Sequence, residues 1–93
     1  MRAHKVDANQ AEIVDALRQV GAVVIPMAPE VGFDLLVAYN ANVYIVECKI
    51  PGEQNSLTSR EKRRRDELMM AGIRYCVVTS AEDALEALGW IHD

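Results

Sequence analysis

Between Gly32 and Lys49 the chain carries two short apolar runs, Gly32-Phe33-Asp34-Leu35-Leu36-Val37-Ala38-Tyr39 and Val43-Tyr44-Ile45-Val46-Glu47-Cys48-Lys49. Their length and their β-branched and aromatic content predict strands. The polar stretch Asn40-Ala41-Asn42 between them predicts a turn. Into these runs the sequence sets three charges: Asp34, then Glu47 two positions before Lys49. Charge buried or half-buried in a sheet needs a partner or a job. Period-two alternation puts Val43, Ile45, Glu47 and Lys49 on one face of the second strand, and Tyr44, Val46 and Cys48 on the other. Asp34 joins Glu47 and Lys49 if the hairpin register sets it opposite either of them. A one-residue slip turns it away.

The flanking sequence fills out an α-β-β-β-α-β-α order. Asp7-Ala8-Asn9-Gln10 predicts a helix start with Asp7 as N-cap and Gln10 reaching back. Ile13, Val14, Leu17 and Val20 then recur at helical spacing, and Gly21 stops the helix. Ala22 to Ile25 predicts a short strand, and Pro26 and Pro29 bracket a loop. Beyond the hairpin, Pro51-Gly52 marks a turn, and Thr58-Ser59-Arg60-Glu61 is a capping box opening a helix to Ala71. Ile73 to Val78 predicts the next strand. Ser80 caps a last helix, Ala81 to Leu88, with Trp90 and Ile91 folding back on the body. Strand, helix and strand in succession predict a right-handed crossover. The fold class expected is α/β: a mixed four-stranded sheet flanked by helices.

Ninety-three residues make one domain. A chain of this length buries roughly 60–65% of its unfolded surface, so the core is modest. The hydrophobic share of 51% suits a globular chain, not a disordered one. No apolar run approaches the roughly 20 residues of a membrane span, and Met1 to Asp7 lacks a secretory h-region. No membrane partner and a cytoplasmic location are therefore expected. Cys48 and Cys76 sit in apolar strand runs, where free cysteine packs as a small hydrophobe. No Cys-x-x-Cys is present, and His4 and His92 are far apart in sequence, which argues against zinc.

Two carboxylates on neighbouring strands can hold Mg²⁺, a hard cation that takes oxygen ligands. The cation neutralises phosphodiester charge and activates bound water. A lysine two residues after the Glu shares its face, with Cα atoms about 6.5–7 Å apart. From there its ammonium can orient the attacking water or offset transition-state charge. The Cys48 main-chain carbonyl lies between them as a further candidate ligand. The pattern points to a metal-dependent phosphodiesterase. As ordinary surface, Glu47-x-Lys49 would instead be a solvated ion pair.

Gly32-Phe33-Asp34 followed by Glu47-Cys48-Lys49 resembles the signature of PD-(D/E)XK nucleases, and the element order is similar to the restriction-endonuclease-like core. Glu47-x-Lys49, Leu57-Thr58, a helix, Gly72 and Val77-Val78-Thr79-Ser80 look like the small stand-alone VRR-NUC type, and Asp7-Ala8-Asn9-Gln10 with Glu12-Ile13-Val14 fits the first helix of phage-like members. The resemblance covers nearly the whole chain. It implies a Mg²⁺- or Mn²⁺-dependent DNA endonuclease in the cytoplasm of a bacterial or phage-infected cell, acting as a homodimer. Asp34 and Glu47 would be metal ligands, Lys49 the catalytic lysine, and Glu12 a fourth member from the first helix. Phe33 stands where the family usually has Pro, and Lys62 near where relatives carry a helix Gln.

The net charge of −4 argues against an all-round basic surface. Yet Arg60, Lys62, Arg63, Arg64 and Arg65 crowd the start of the second helix, five of the ten Lys and Arg residues. A local positive stripe on an acidic protein can bind phosphates. The expectation is a helix docked by Leu68, Met69 and Ala71, its basic half facing solvent and DNA. Two other readings stay open: a non-catalytic nucleic-acid-binding module of the same fold, and a protein-interaction domain. Branched, flapped, nicked and plain duplex DNA all remain candidate substrates.

Overall fold

The computed structural model describes residues 9–90. It is a small α/β fold of three helices and a four-stranded mixed sheet. The elements run α1 (Gln10–Gln19), β1 (Val23–Pro26), a 3₁₀ turn (Pro29–Val31), β2 (Leu35–Tyr39), β3 (Asn42–Cys48), α2 (Ser59–Met70), β4 (Arg74–Val78) and α3 (Ala81–Ala87). The sheet order is β1-β2-β3-β4. The first two pairings are antiparallel and β3–β4 is parallel, as a crossover through α2 requires. No helix among the described residues is long and apolar enough to cross a membrane. The expected Asp7 cap, Ile91, His4 and His92 lie outside the described residues.

The two sheet faces differ. Ile13, Val14 and Leu17 of α1 pack with Ala84 and Leu88 against Val24, Leu35, Val37, Tyr44, Val46, Cys48 and Val78. This is the hydrophobic core. Burying each aliphatic side chain here contributes roughly 1.5–3 kcal/mol. The opposite face carries α2, which meets mainly β4. Val23, Ile25 and Val43 are therefore left 58%, 48% and 44% exposed.

Several boundaries differ from the sequence reading. Asn9 stands at the N-cap of α1. Tyr39 pairs with Asn42, so the hairpin turn is the two residues Asn40 and Ala41, both at positive φ. That is the backbone a tight, right-twisted hairpin demands. The helix α2 does not dock by its C-terminal half. It buries no residue, and its half-buried positions are Glu61, Arg64, Arg65 and Leu68. That i, i+3, i+4, i+7 stripe is charged in its first half.

Gly32 joins this helix to the strands. It sits at φ 94°, and a Cβ there would lie 3.0 Å from Arg64 Cβ. A left-handed backbone costs a side-chain-bearing residue roughly 1–2 kcal/mol. Gly32→Ala should therefore lower unfolding free energy by about 1–3 kcal/mol in urea titration. A change within 0.5 kcal/mol would show the turn and the Arg64 contact to be slack.

Candidate functional site

The β2–β3 ladder ends at Leu35 opposite Val46, so the next pair outward is Asp34 and Glu47. The Asp34 carbonyl accepts from Met27 N–H on the β1 side. Asp34 and Glu47 thus form a pair without mutual backbone bonds, with Cα atoms about 4.5 Å apart and side chains on one face. Continued one step past Leu35–Val46, the register sets Asp34 opposite Glu47, one of the registers that bring the two acids to one face. One step further out, the turn at Gly32 takes Phe33 off the ladder. Cys48 N–H donates instead to Asp34 Oδ2 at 2.8 Å. An extended residue points its N–H and C=O the same way, so the Cys48 carbonyl also projects towards the Asp34 side.

Glu47 is only 1% exposed. Lys49 Nζ lies 3.7 Å from its Oε2. Its Oε1 is buried without a hydrogen-bonding donor. The same Lys49 ammonium donates to Glu61 Oε1 at 3.2 Å. Glu61 closes the capping box its spacing from Thr58 predicts: Thr58 N–H donates to Glu61 Oε1 at 2.9 Å, and Glu61 N–H donates to Thr58 Oγ1 at 3.1 Å. That geometry turns its carboxylate back over the helix start, against Glu47. Three acids and one lysine therefore meet under the first turn of α2.

The cluster's protonation follows from its crowding. Burial, contact with Glu61 and the charges of Asp34 and Glu61 push the Glu47 carboxyl up to about 9, against the pull of Lys49. A protonated Glu47 supplies the donor that two facing carboxylates lack. Burial would also raise Glu61, but its bonds to Glu47, Thr58 and Lys49 outweigh this and hold it below the usual carboxylate range. Tyr75 faces the same cluster from β4. Its hydroxyl is buried without a hydrogen-bond partner. Burial, then the charges of Glu47, Glu61 and Asp34, push its pKa up and make it a weaker acid, with Arg65 opposing.

Among the described residues no three His, Cys, Asp or Glu side chains stand in a ready-made metal cage. The donor set nevertheless suits a hard divalent cation: two carboxylates, one of them with an orphaned oxygen on Glu47, and a neighbouring carbonyl. Occupation would require Glu47 to lose its proton.

The remaining expected residues divide. Glu12 is exposed on α1. It follows Asn9 by three positions and so shares its helix side. Asn9 Nδ2 donates to the Lys49 and Thr79 carbonyls at 3.1 and 2.7 Å. Glu12 thus stands near the same sheet end, outside the buried cluster. Asn9 was not expected in this role. A polar amide followed by an amphipathic helix is a weak signal when its acceptors lie 40 and 70 residues away.

The basic run does not form one DNA-facing stripe. Arg64 Nε donates to the Val31 carbonyl at 2.7 Å, and its guanidinium pairs with Glu67 at 2.9 Å. Arg64 is a structural tie, not a free phosphate ligand. Arg60 and Arg63 join it along a cleft of about 200 Å³ that also holds Glu30 and Glu67. Lys62 and Arg65 fall on the other flank of α2. Arg65 is paired with Asp66 at 3.0 Å. The cause is helical geometry: consecutive residues point about 100° apart, so five cations in six positions cannot share a side. Lys62 is exposed, and Glu61 is the α2 residue that meets Lys49.

No family model matches the chain, and no curated protein or solved structure is significantly similar to it.

The raised Glu47 carboxyl has a measurable consequence. Between its ordinary value of 4.5 and about 9 the folded chain holds a proton that the unfolded chain has released. Folding stability must fall as pH rises through that window, by up to about 1.4 kcal/mol per pH unit for one proton. Glu47→Gln, which cannot titrate, should show a flatter profile and exceed the parent's stability at pH 8–9. Denaturant midpoints at five pH values would test this, and parallel profiles for the two proteins would refute the assignment.

Proposed function

We propose that this protein is a divalent-metal-dependent endonuclease that hydrolyses DNA phosphodiester bonds on a restriction-endonuclease-like core. The observation that carries the reading is Glu47: fully buried, directly opposite Asp34, with one carboxyl oxygen lacking a donor and Lys49 beside the other. Buried acids with strongly perturbed protonation next to a specific charge partner concentrate at functional sites.

Asp34, Glu47 and the Cys48 carbonyl would hold Mg²⁺ or Mn²⁺. When bound, the cation supplies charge neutralisation and an activated water. The chain's own groups do the rest. Asp34 is held in place by Cys48 N–H. Lys49, 15% exposed, is the member of the pair that reaches towards solvent, where its ammonium can orient water and offset charge on the phosphate. Glu61 restrains that ammonium from the helix side. Arg60, Lys62 and Arg63 remain exposed for phosphate contact. Glu12, exposed on α1, would be the fourth member. The uncovered face around Val23, Ile25 and Val43 supports self-association as a dimer.

The opposing reading is a structural ion cluster in a non-catalytic binding module, favoured by the fact that Lys49 already bridges two acids. Incubation with linear and branched DNA in Mg²⁺ or Mn²⁺ separates the two. Cleavage should fall by about 10²-fold or more in Lys49→Ala and in Glu47→Gln, with circular dichroism unchanged. Cleavage that survives both substitutions, or none by the parent protein, would reject the nuclease assignment.

A further inference from the structure

On the flank of α2 away from Gly32 runs a groove of about 510 Å³. Its walls are α2, the segment 50–57 and the outer edge of β4. The strand β4 ends the sheet. Lys49 N–H donates to the Val78 carbonyl, so Val78 turns its main-chain groups inward. Tyr75 and Val77, alternate to it, turn theirs outward into the groove. The volume is that of a site for one small ligand, too small to seat a duplex.

The lining is chemically mixed. Gln54 and Asn55 contribute amides, the Gln54 oxygen already accepting from Gly52 N–H at 2.7 Å, and Lys62 and Arg65 contribute cations. Asp66 offsets Arg65, so the groove is a poor trap for a bare anion. Leu57 and Met69 supply apolar surface, and Tyr75 an aromatic ring. Amides and charged groups that both donate and accept, set beside an aromatic ring, match the hydrogen-bonding edge and the flat face of a nucleobase. The groove neighbours the acidic cluster through Tyr75, whose β3 partner Ile45 shares a sheet face with Glu47 two residues on. Tyr75 lines the groove while its hydroxyl is buried on the cluster's side of the sheet. Lys62 directly follows Glu61 in α2.

We propose that this groove receives an unpaired nucleotide of the substrate strand, next to the phosphodiester held at Asp34, Glu47 and Lys49. The substrate is then single-stranded at that position. The location of the cut rests on the nuclease reading; the binding of the nucleotide does not.

Fluorescence anisotropy without divalent metal tests the groove by itself. The probe is a short labelled deoxyoligonucleotide, offered single-stranded and as a blunt duplex of the same sequence. The parent protein should bind the single strand at least tenfold more tightly. The double substitution Gln54→Ala/Asn55→Ala, at two exposed loop positions, should abolish that preference while leaving duplex affinity unchanged. Arg63→Glu, on the opposite flank, should weaken both forms alike. Equal affinity for the two forms, or a preference untouched by the double substitution, overturns the proposal. So does displacement of the oligonucleotide by an extended peptide with no nucleic-acid selectivity. The two readings fail separately. Single-strand preference without any cleavage leaves the groove and removes the nuclease. Cleavage of blunt duplex unaffected by the double substitution leaves the nuclease and removes the groove.

Discussion

Glu47 lies 1% exposed at the end of an inner strand, roofed by a helix whose docking stripe is itself charged. An acid so placed costs several kcal/mol if it is ionised and unpaired. The surrounding geometry answers to that cost. Lys49 is held beside it, Glu61 is turned onto it by a capping box, and Asp34 faces it across the hairpin. A proton on Glu47 makes the group of four compatible with burial. Replacing the cluster by apolar residues of similar volume would serve folding as well or better. That argues for a role beyond stability.

Stability comes from the other side of the sheet. The interlocked side chains of α1, α3 and the inward positions of all four strands form one apolar cluster. The helix α2 adds little to it. Polar ties hold that helix: the Thr58–Glu61 box, the Lys49 bridge and the Arg64 bond to Val31. The sheet therefore separates its duties by face. One face secures the fold, and the other carries titratable groups at the edge where Asn9 pins α1 to the carbonyls of Lys49 and Thr79.

The parts readable from sequence were those governed by local rules. Alternation in Val43 to Lys49 assigned the faces of β3 correctly, and the Thr58 box started α2 where the structure does. The helix–strand order implied a parallel β3–β4 pair. The parts that were not readable depend on how α2 rotates about its axis. Nothing local to residues 58–71 says that Glu61, Arg64 and Arg65 face the sheet while Lys62 does not. A stripe ending in Leu68 could have been found by counting i, i+3, i+4 and i+7, but its first three members are charged and read as a solvated face. The local pattern thus presents Glu61 as a cap on a solvated face and Arg64 as a DNA contact. The turn was misjudged for a different reason. Ala41 at positive φ is uncommon, so the sequence favoured a longer loop than the two residues present.

The claim on which the functional reading depends is that Glu47 exchanges its proton for a cation opposite Asp34. Calorimetric titration with Mn²⁺ at pH 7, run in two buffers of different ionisation enthalpy, measures this directly. The account predicts binding with release of close to one proton per cation at the Glu47 site, and loss of both in Glu47→Gln. No heat of binding, or binding without proton release that persists in that variant, would contradict it.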